Sequence, residues 1–141
     1  MMEWMLLPLK RYTQFSGRAR PKEFWMFFLF LIICIVLLSF VEAALGLNTS
    51  ERWAFREGWS ASAGFRNSAG PLTGLFLLAM LVPYLAVAVR RLHDTDRSGW
   101  YLLLGFIPFI GGLILLIFLV MGGTRGPNRF GPDPFDKGEA A

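Results

Sequence analysis

The sequence predicts an all-α fold: a polytopic membrane bundle of three transmembrane helices, the third broken near Pro108. Three observations predict it. The 24 charged residues all avoid three tracts, residues 24–41, 71–89 and 98–124. Hydrophobic residues make up 55% of the 141 and the mean hydropathy is +0.49, above soluble usage. None of the tracts shows the one-sided apolar stripe of a helix that faces water. At helical rise they reach roughly 27, 28 and 40 Å, against a hydrocarbon core of about 30 Å. Backbone in lipid must satisfy its own hydrogen bonds, so the crossings are helices, and no tract alternates like a barrel strand.

In chain order, residues 1–23 form a basic amphipathic segment. Its apolar start, ahead of Lys10-Arg11, is a candidate interfacial helix interrupted at Pro8. Span 1 (24–41) opens on Phe24 and Trp25, rings suited to the headgroup level. It exceeds a signal-peptide core in length and follows 23 residues, so it is read as a retained anchor. The loop 42–70 carries Trp53, Phe55, Trp59 and Phe65 and is expected on the outer membrane surface or capping the bundle. Span 2 (71–89) contains Pro83, and the basic loop 90–97 follows it. Span 3 (98–121) opens on Trp100 and Tyr101 and meets Pro108 among Gly105, Gly111 and Gly112. The tail 122–141 is rich in Gly and Pro, and its Phe130 and Phe135 suit a turn-rich segment resting against the bundle or headgroups.

Lys and Arg counts set the orientation. Lys10, Arg11, Arg18, Arg20 and Lys22 precede span 1, and Arg90, Arg91 and Arg97 lie between spans 2 and 3. Both clusters fall on one side, read as cytoplasmic, so three passes put the N-terminus inside and the tail outside. The alternative is a re-entrant third segment, broken within 107–112, that returns the tail to the cytoplasm. Its arms of about ten residues reach only roughly 15 Å, which favours three passes.

One Cys and one His exclude an intramolecular disulfide and a Cys- or His-rich metal site, and no cofactor is implied. The pI near 9.7 reflects cations beside spans, so no nucleic-acid partner is expected.

The informative segment is Arg90-Arg91-Leu92-His93-Asp94, continuing through Arg97 to Trp100. Its plain reading is structural: cations complement a helix C-terminus, and Asp96 or Ser98 N-caps the next helix. Its functional reading is an anion or lipid-headgroup site formed by Arg90, Arg91, His93, Asp94 and Arg97. His93-Asp94 is not read as catalytic, because adjacent residues rarely make that contact and no nucleophile accompanies them.

The chain resembles the bacterial membrane family catalogued as "domain of unknown function 805". The resemblance is carried by Phe15-Ser16-Gly17-Arg18-Ala19-Arg20 with Glu23-Phe24-Trp25, by Arg90-Arg91-Leu92-His93-Asp94 through Ser98-Gly99-Trp100, by Ile107-Pro108-Phe109-Ile110-Gly111, and by Gly123-Thr124 through Asn128-Arg129-Phe130-Gly131-Pro132-Asp133-Pro134. It covers most of the chain except the outer loop. It implies a small bacterial inner-membrane protein and supplies no catalytic residues.

The expected function is therefore non-enzymatic. The basic face binds membrane lipids, anionic phospholipid included, or membrane partners, a homo-oligomer among them. The alternative is a small oligomeric channel or transporter using the Pro/Gly band. No Asp, Glu, Lys, Arg or His lies within a tract, which counts against proton coupling.

Overall fold

The computed structural model describes residues 2–47, 50–57, 60–67 and 70–135. Residues 136–141 of the tail and the Asn48-Thr49 pair lie outside the described residues. Two helices are long and apolar enough to cross a membrane, α2 (Pro21–Ala44) and α3 (Pro71–Asp94). Each begins on a proline, whose fixed φ and missing N–H suit a first helical turn. Contacts divide the chain into two bodies, residues 31–79 and residues 1–30 with 80–141.

In the first body, α2 ends where Gly46 turns left-handed (φ +66°). The Leu47 amide reaches back to the Glu42 carbonyl at 2.8 Å and the Gly46 amide to Ala43 at 3.2 Å, a Schellman closure. The fully buried Glu42 carboxylate then caps α3, accepting from the Gly70 and Thr73 amides (3.1 and 2.9 Å) and the Thr73 hydroxyl (2.7 Å). A Cβ at position 70 would lie 2.5 Å from that carboxyl carbon, so any larger residue would push the Glu42 carboxylate out of its capping position. Between α2 and α3, β1 (Ser50–Glu57) pairs antiparallel with β2 (Ser60–Asn67), Trp53 opposite Gly64. The all-α expectation therefore holds for the apolar segments and not for this loop.

In the second body, α1 (Met2–Lys10) carries Glu3 in its first turn and Lys10 in its last, matching the helix dipole. The helix runs on through Pro8, where an interruption was expected. Proline removes only the bond to the Trp4 carbonyl there, and the Arg11 amide still reaches Leu7 at 3.1 Å. Helix α3 likewise continues through the buried Pro83 and extends to Asp94, so Arg90–Asp94 is helix rather than loop. It closes at Asp96 (φ +57°), with the Arg97 amide on the Leu92 carbonyl. Asp96 thus ends one helix, and Ser98 caps the next, its hydroxyl accepting from the Trp100 amide.

The third tract is where the structure departs most from expectation. A 3-10 helix (Gly99–Phe106) runs out, the chain reverses at residues 107–109, and α4 (Ile110–Val120) runs back. Pro108 explains the break: it lacks an N–H and pushes Ile107 into extended backbone (φ −80°, ψ 116°), and Phe109 follows at φ +62°. The arms pack together, the Tyr101 and Phe118 rings 5.8 Å apart and edge-on. A Cβ at Gly111 would sit 1.8 Å from the Leu104 carbonyl oxygen, so this approach requires glycine. Arg91, in the last turn of α3, donates to the carbonyls of Leu119 and Met121 at the end of α4. Both ends of the hairpin therefore lie at the C-terminal turn of α3. Of the three expected crossings, the described residues give two helices of crossing length, and the third tract gives two shorter arms.

Candidate functional site

The C-terminal turn of α3 places Arg90, Arg91 and Asp94 inside the protein, at 1%, 0% and 0% exposure. A buried ion must be paired or hydrogen-bonded, and the fold supplies partners from distant segments. Arg91 Nη1 meets Asp94 Oδ2 at 2.7 Å, one turn along the same helix. Arg18, from the segment between α1 and α2, brings its Nε to Asp94 Oδ1 at 2.9 Å. Arg18 also donates to the carbonyls of Gly126 (2.7 Å) and Thr124 in the tail. Arg90 Nη1 meets Glu23 Oε1 at 2.8 Å, and the Arg90 carbonyl accepts from the Ala19 amide at 3.0 Å.

The tail docks on the same turn. The Thr124 amide donates to the Asp94 carbonyl at 2.8 Å, and Asn128 Nδ2 donates to the His93 carbonyl at 2.9 Å. The Phe130 ring stacks on the His93 imidazole with centroids 3.9 Å apart and planes 3° from parallel. His93 Nδ1 donates to the Gly17 carbonyl at 3.1 Å, so the ring joins the N-terminal segment to the tail. Gly123 passes so close that a Cβ there would lie 2.0 Å from Asp94 Oδ2. Further along, Asp133 accepts from the Gly126 and Phe135 amides (2.8 and 2.9 Å), and those bonds hold its carboxyl below the usual carboxylate range. Arg20 donates through Nε and Nη2 to the Pro134 carbonyl and lies against the rings of Phe135 and Trp4.

The structure brings three of the expected site residues together. Arg91 and Asp94 bind one another and other segments of the chain, while Arg90 spends Nη1 on Glu23 and keeps Nε and Nη2 without an acceptor among the described residues. Arg97 turns away, its guanidinium 4.0 Å from the centre of the Phe118 ring. His93 and Asp94 face different partners and make no dyad. The sequence reading left out Arg18, Glu23, Thr124, Asn128, Phe130 and Asp133, though each lies in a stretch that carried the family resemblance. The available signal was charge: two arginines and one aspartate on the last turn of an apolar helix require a partner from elsewhere.

Apolar helices of membrane-spanning length, joined at one end by a clasp of buried ion pairs, define an integral membrane protein whose two terminal segments are tied together. The chain belongs to the family described as "Protein of unknown function (DUF805)", which matches residues 12–132. It is 45% identical over 133 residues to the inner membrane protein YhaH of Escherichia coli (strain K12), covering 94% of this chain and 97% of that one. It is also 45% identical over 133 residues to the inner membrane protein YhaI of the same organism, covering 94% and 96%. No solved structure matches the chain. Family, relatives and helices together make this a membrane protein.

Proposed function

We propose that this is a non-enzymatic inner-membrane protein with two crossings and a re-entrant hairpin, whose basic end lies in the cytoplasm and binds anionic lipid headgroups. The topology follows from lengths. Eight 3-10 residues and eleven α residues each advance about 16 Å, roughly half the hydrocarbon core, so the hairpin turns near the midplane. Orientation follows from charge. Ten of the 14 Lys and Arg (Lys10, Arg11, Arg18, Arg20, Lys22, Arg90, Arg91, Arg97, Arg125 and Arg129) belong to the clasped end and its flanks.

The observation that carries the lipid reading is the split between spent and unspent cations. Arg18 and Arg91 are consumed by the clasp and Arg90 is buried against Glu23, whereas Lys10, Lys22 and Arg125 lie exposed around it. Helix α1 beside them exposes Met2 and Leu6, and Lys22 lies over the Trp4 ring, as an interfacial segment requires. An apolar groove of about 860 Å³ between α3 and the hairpin, with Val89, Leu103 and Leu115 in its walls, suits an acyl chain.

Exposed cations attract an anionic leaflet by about 1 kcal/mol each, a contribution that fades with salt. Nanodiscs of phosphatidylcholine with and without phosphatidylglycerol test this by native mass spectrometry. The protein should retain phosphatidylglycerol preferentially at low salt, and Lys10→Gln with Arg125→Gln should cut that retention about tenfold or more. Equal retention of both lipids at low salt would refute the reading.

A further inference from the structure

Five guanidinium groups gather at the clasped end, those of Arg11, Arg18, Arg20, Arg90 and Arg91, against the carboxylates of Glu23, Asp94 and Asp133. Three carboxylates against five guanidinium groups leave an excess of two positive charges in this cluster. Arg90 is 1% exposed, yet its Nε and Nη2 have no acceptor. Uncompensated charge in such surroundings is costly, and a bound anion relieves it.

A cavity of about 300 Å³ adjoins Arg11, Arg18 and Arg20 of this cluster, between α1, the segment leading into α2 and the turn at Pro132-Asp133-Pro134; Arg90 lies behind Glu23 and is not part of its wall. Arg11, Gln14, Arg18, Arg20, Glu23 and Asp133 form its polar walls. Both wall carboxylates are committed, Glu23 to Arg90 and Asp133 to two backbone amides. Arg18 is spent on Asp94 and the tail carbonyls. Arg11 and Arg20 are not spent in this way. Arg11 is 42% exposed and reaches Glu23 only at 4.0 Å, and Arg20 meets a neutral carbonyl.

We propose that this cavity binds a phosphate ester, held by the Arg11 and Arg20 guanidinium groups with the Gln14 amide as a neutral donor. The Arg11 fork, with the Arg20 donors not used on the Pro134 carbonyl, matches the several oxygens and the negative charge of a phosphate better than point charges do. The volume is at the small end for ligand sites, which suits a headgroup or a small phosphorylated molecule rather than a nucleotide. The lipid-headgroup source rests on the function proposed above, but the residues are different, since the exposed cations Lys10 and Arg125 do not line the cavity.

The full chain in phosphatidylcholine nanodiscs is titrated with inorganic phosphate by calorimetry, and in a second arm phosphatidylglycerol is added and retained lipid is counted by native mass spectrometry. Arg11→Lys with Arg20→Lys keeps the charge and should weaken binding at least about tenfold in the arm that shows it. Gln14→Leu, which disturbs no ion pair, should weaken it severalfold, so the test survives if the double variant folds poorly. Lys10→Gln with Arg125→Gln should leave phosphate binding within about twofold, because those side chains lie outside the site. Binding in the lipid arm alone assigns a headgroup, and binding in the phosphate arm alone assigns a soluble phosphate ester. Absence of binding in both arms, or binding indifferent to both the Arg→Lys pair and Gln14→Leu, would overturn the proposal. Failure of the exposed-cation reading would instead show as lipid retention unchanged by Lys10→Gln with Arg125→Gln.

Discussion

Asp94 Oδ1 accepts from Arg18 Nε at 2.9 Å, joining two residues 76 positions apart in the chain, both side chains almost fully buried. This one contact ties the N-terminal segment to the last turn of α3. Its other oxygen takes Arg91, whose remaining donors hold the end of α4. Much of the family's motif is thereby explained as a single internal clasp.

Replacing Asp94 with Asn should destabilise the protein by about 3–5 kcal/mol, because Arg18 and Arg91 then stay buried without their anion. Unfolding in mixed detergent micelles measures it. A loss below about 1 kcal/mol, the value of a surface pair, would mean that the clasp is solvated.

Gly111→Ala should open the hairpin, since the added methyl would lie 1.8 Å from the Leu104 carbonyl oxygen. In a Cys34→Ser background, cysteines at Tyr101 and Phe118 should crosslink efficiently through a short bifunctional reagent. The crosslink should fall sharply once Gly111 is Ala. Persistence at the parental level would show that the arms pack differently.

Asp133 makes tail docking dependent on pH, with a definite sign. Its folded pKa lies below the unfolded value, so its contribution is complete above about pH 3.9 and is lost as pH falls through the folded value. Protease sensitivity at Arg125 should rise in that acid window. In Asp133→Asn it should already be high at neutral pH and should not rise further through loss of this carboxylate.

Glu42→Ala should cost about 0.5–2 kcal/mol by uncapping α3, or more through burial of the freed amides. Glu42→Gln should recover part of the loss, because its amide oxygen still accepts from one of the donors at Gly70 and Thr73. Thermal unfolding of the two variants gives the order, and a Gln variant weaker than the Ala variant would contradict the capping role.

The two long helices were legible because hydrophobicity and charge exclusion are local signals that survive without any tertiary context. The break at Pro108 was legible for the same reason. The direction of the chain after it was not. The length criterion asks whether each arm can cross, and a hairpin that returns escapes the question. Gly111 and Gly123 held the missing information, since each stands where a Cβ would collide with Leu104 or Asp94. The site was half legible: Arg90, Arg91, His93 and Asp94 were singled out, but their partners arrive from Arg18 and from the tail. No periodicity connects positions so far apart. The β-pairing of the loop was also missed, although Trp53 and Phe55, two residues apart, favour strands.

The central claim, that the clasp holds both terminal segments on one face of the membrane, is tested most directly by sided labelling of single cysteines. Lys10→Cys and Arg125→Cys, each in a Cys34→Ser background, are treated with a membrane-impermeant maleimide in spheroplasts and in inverted vesicles. Both cysteines should react in inverted vesicles and stay unlabelled in intact spheroplasts. Labelling of the two positions from opposite sides would restore a third crossing and contradict the account.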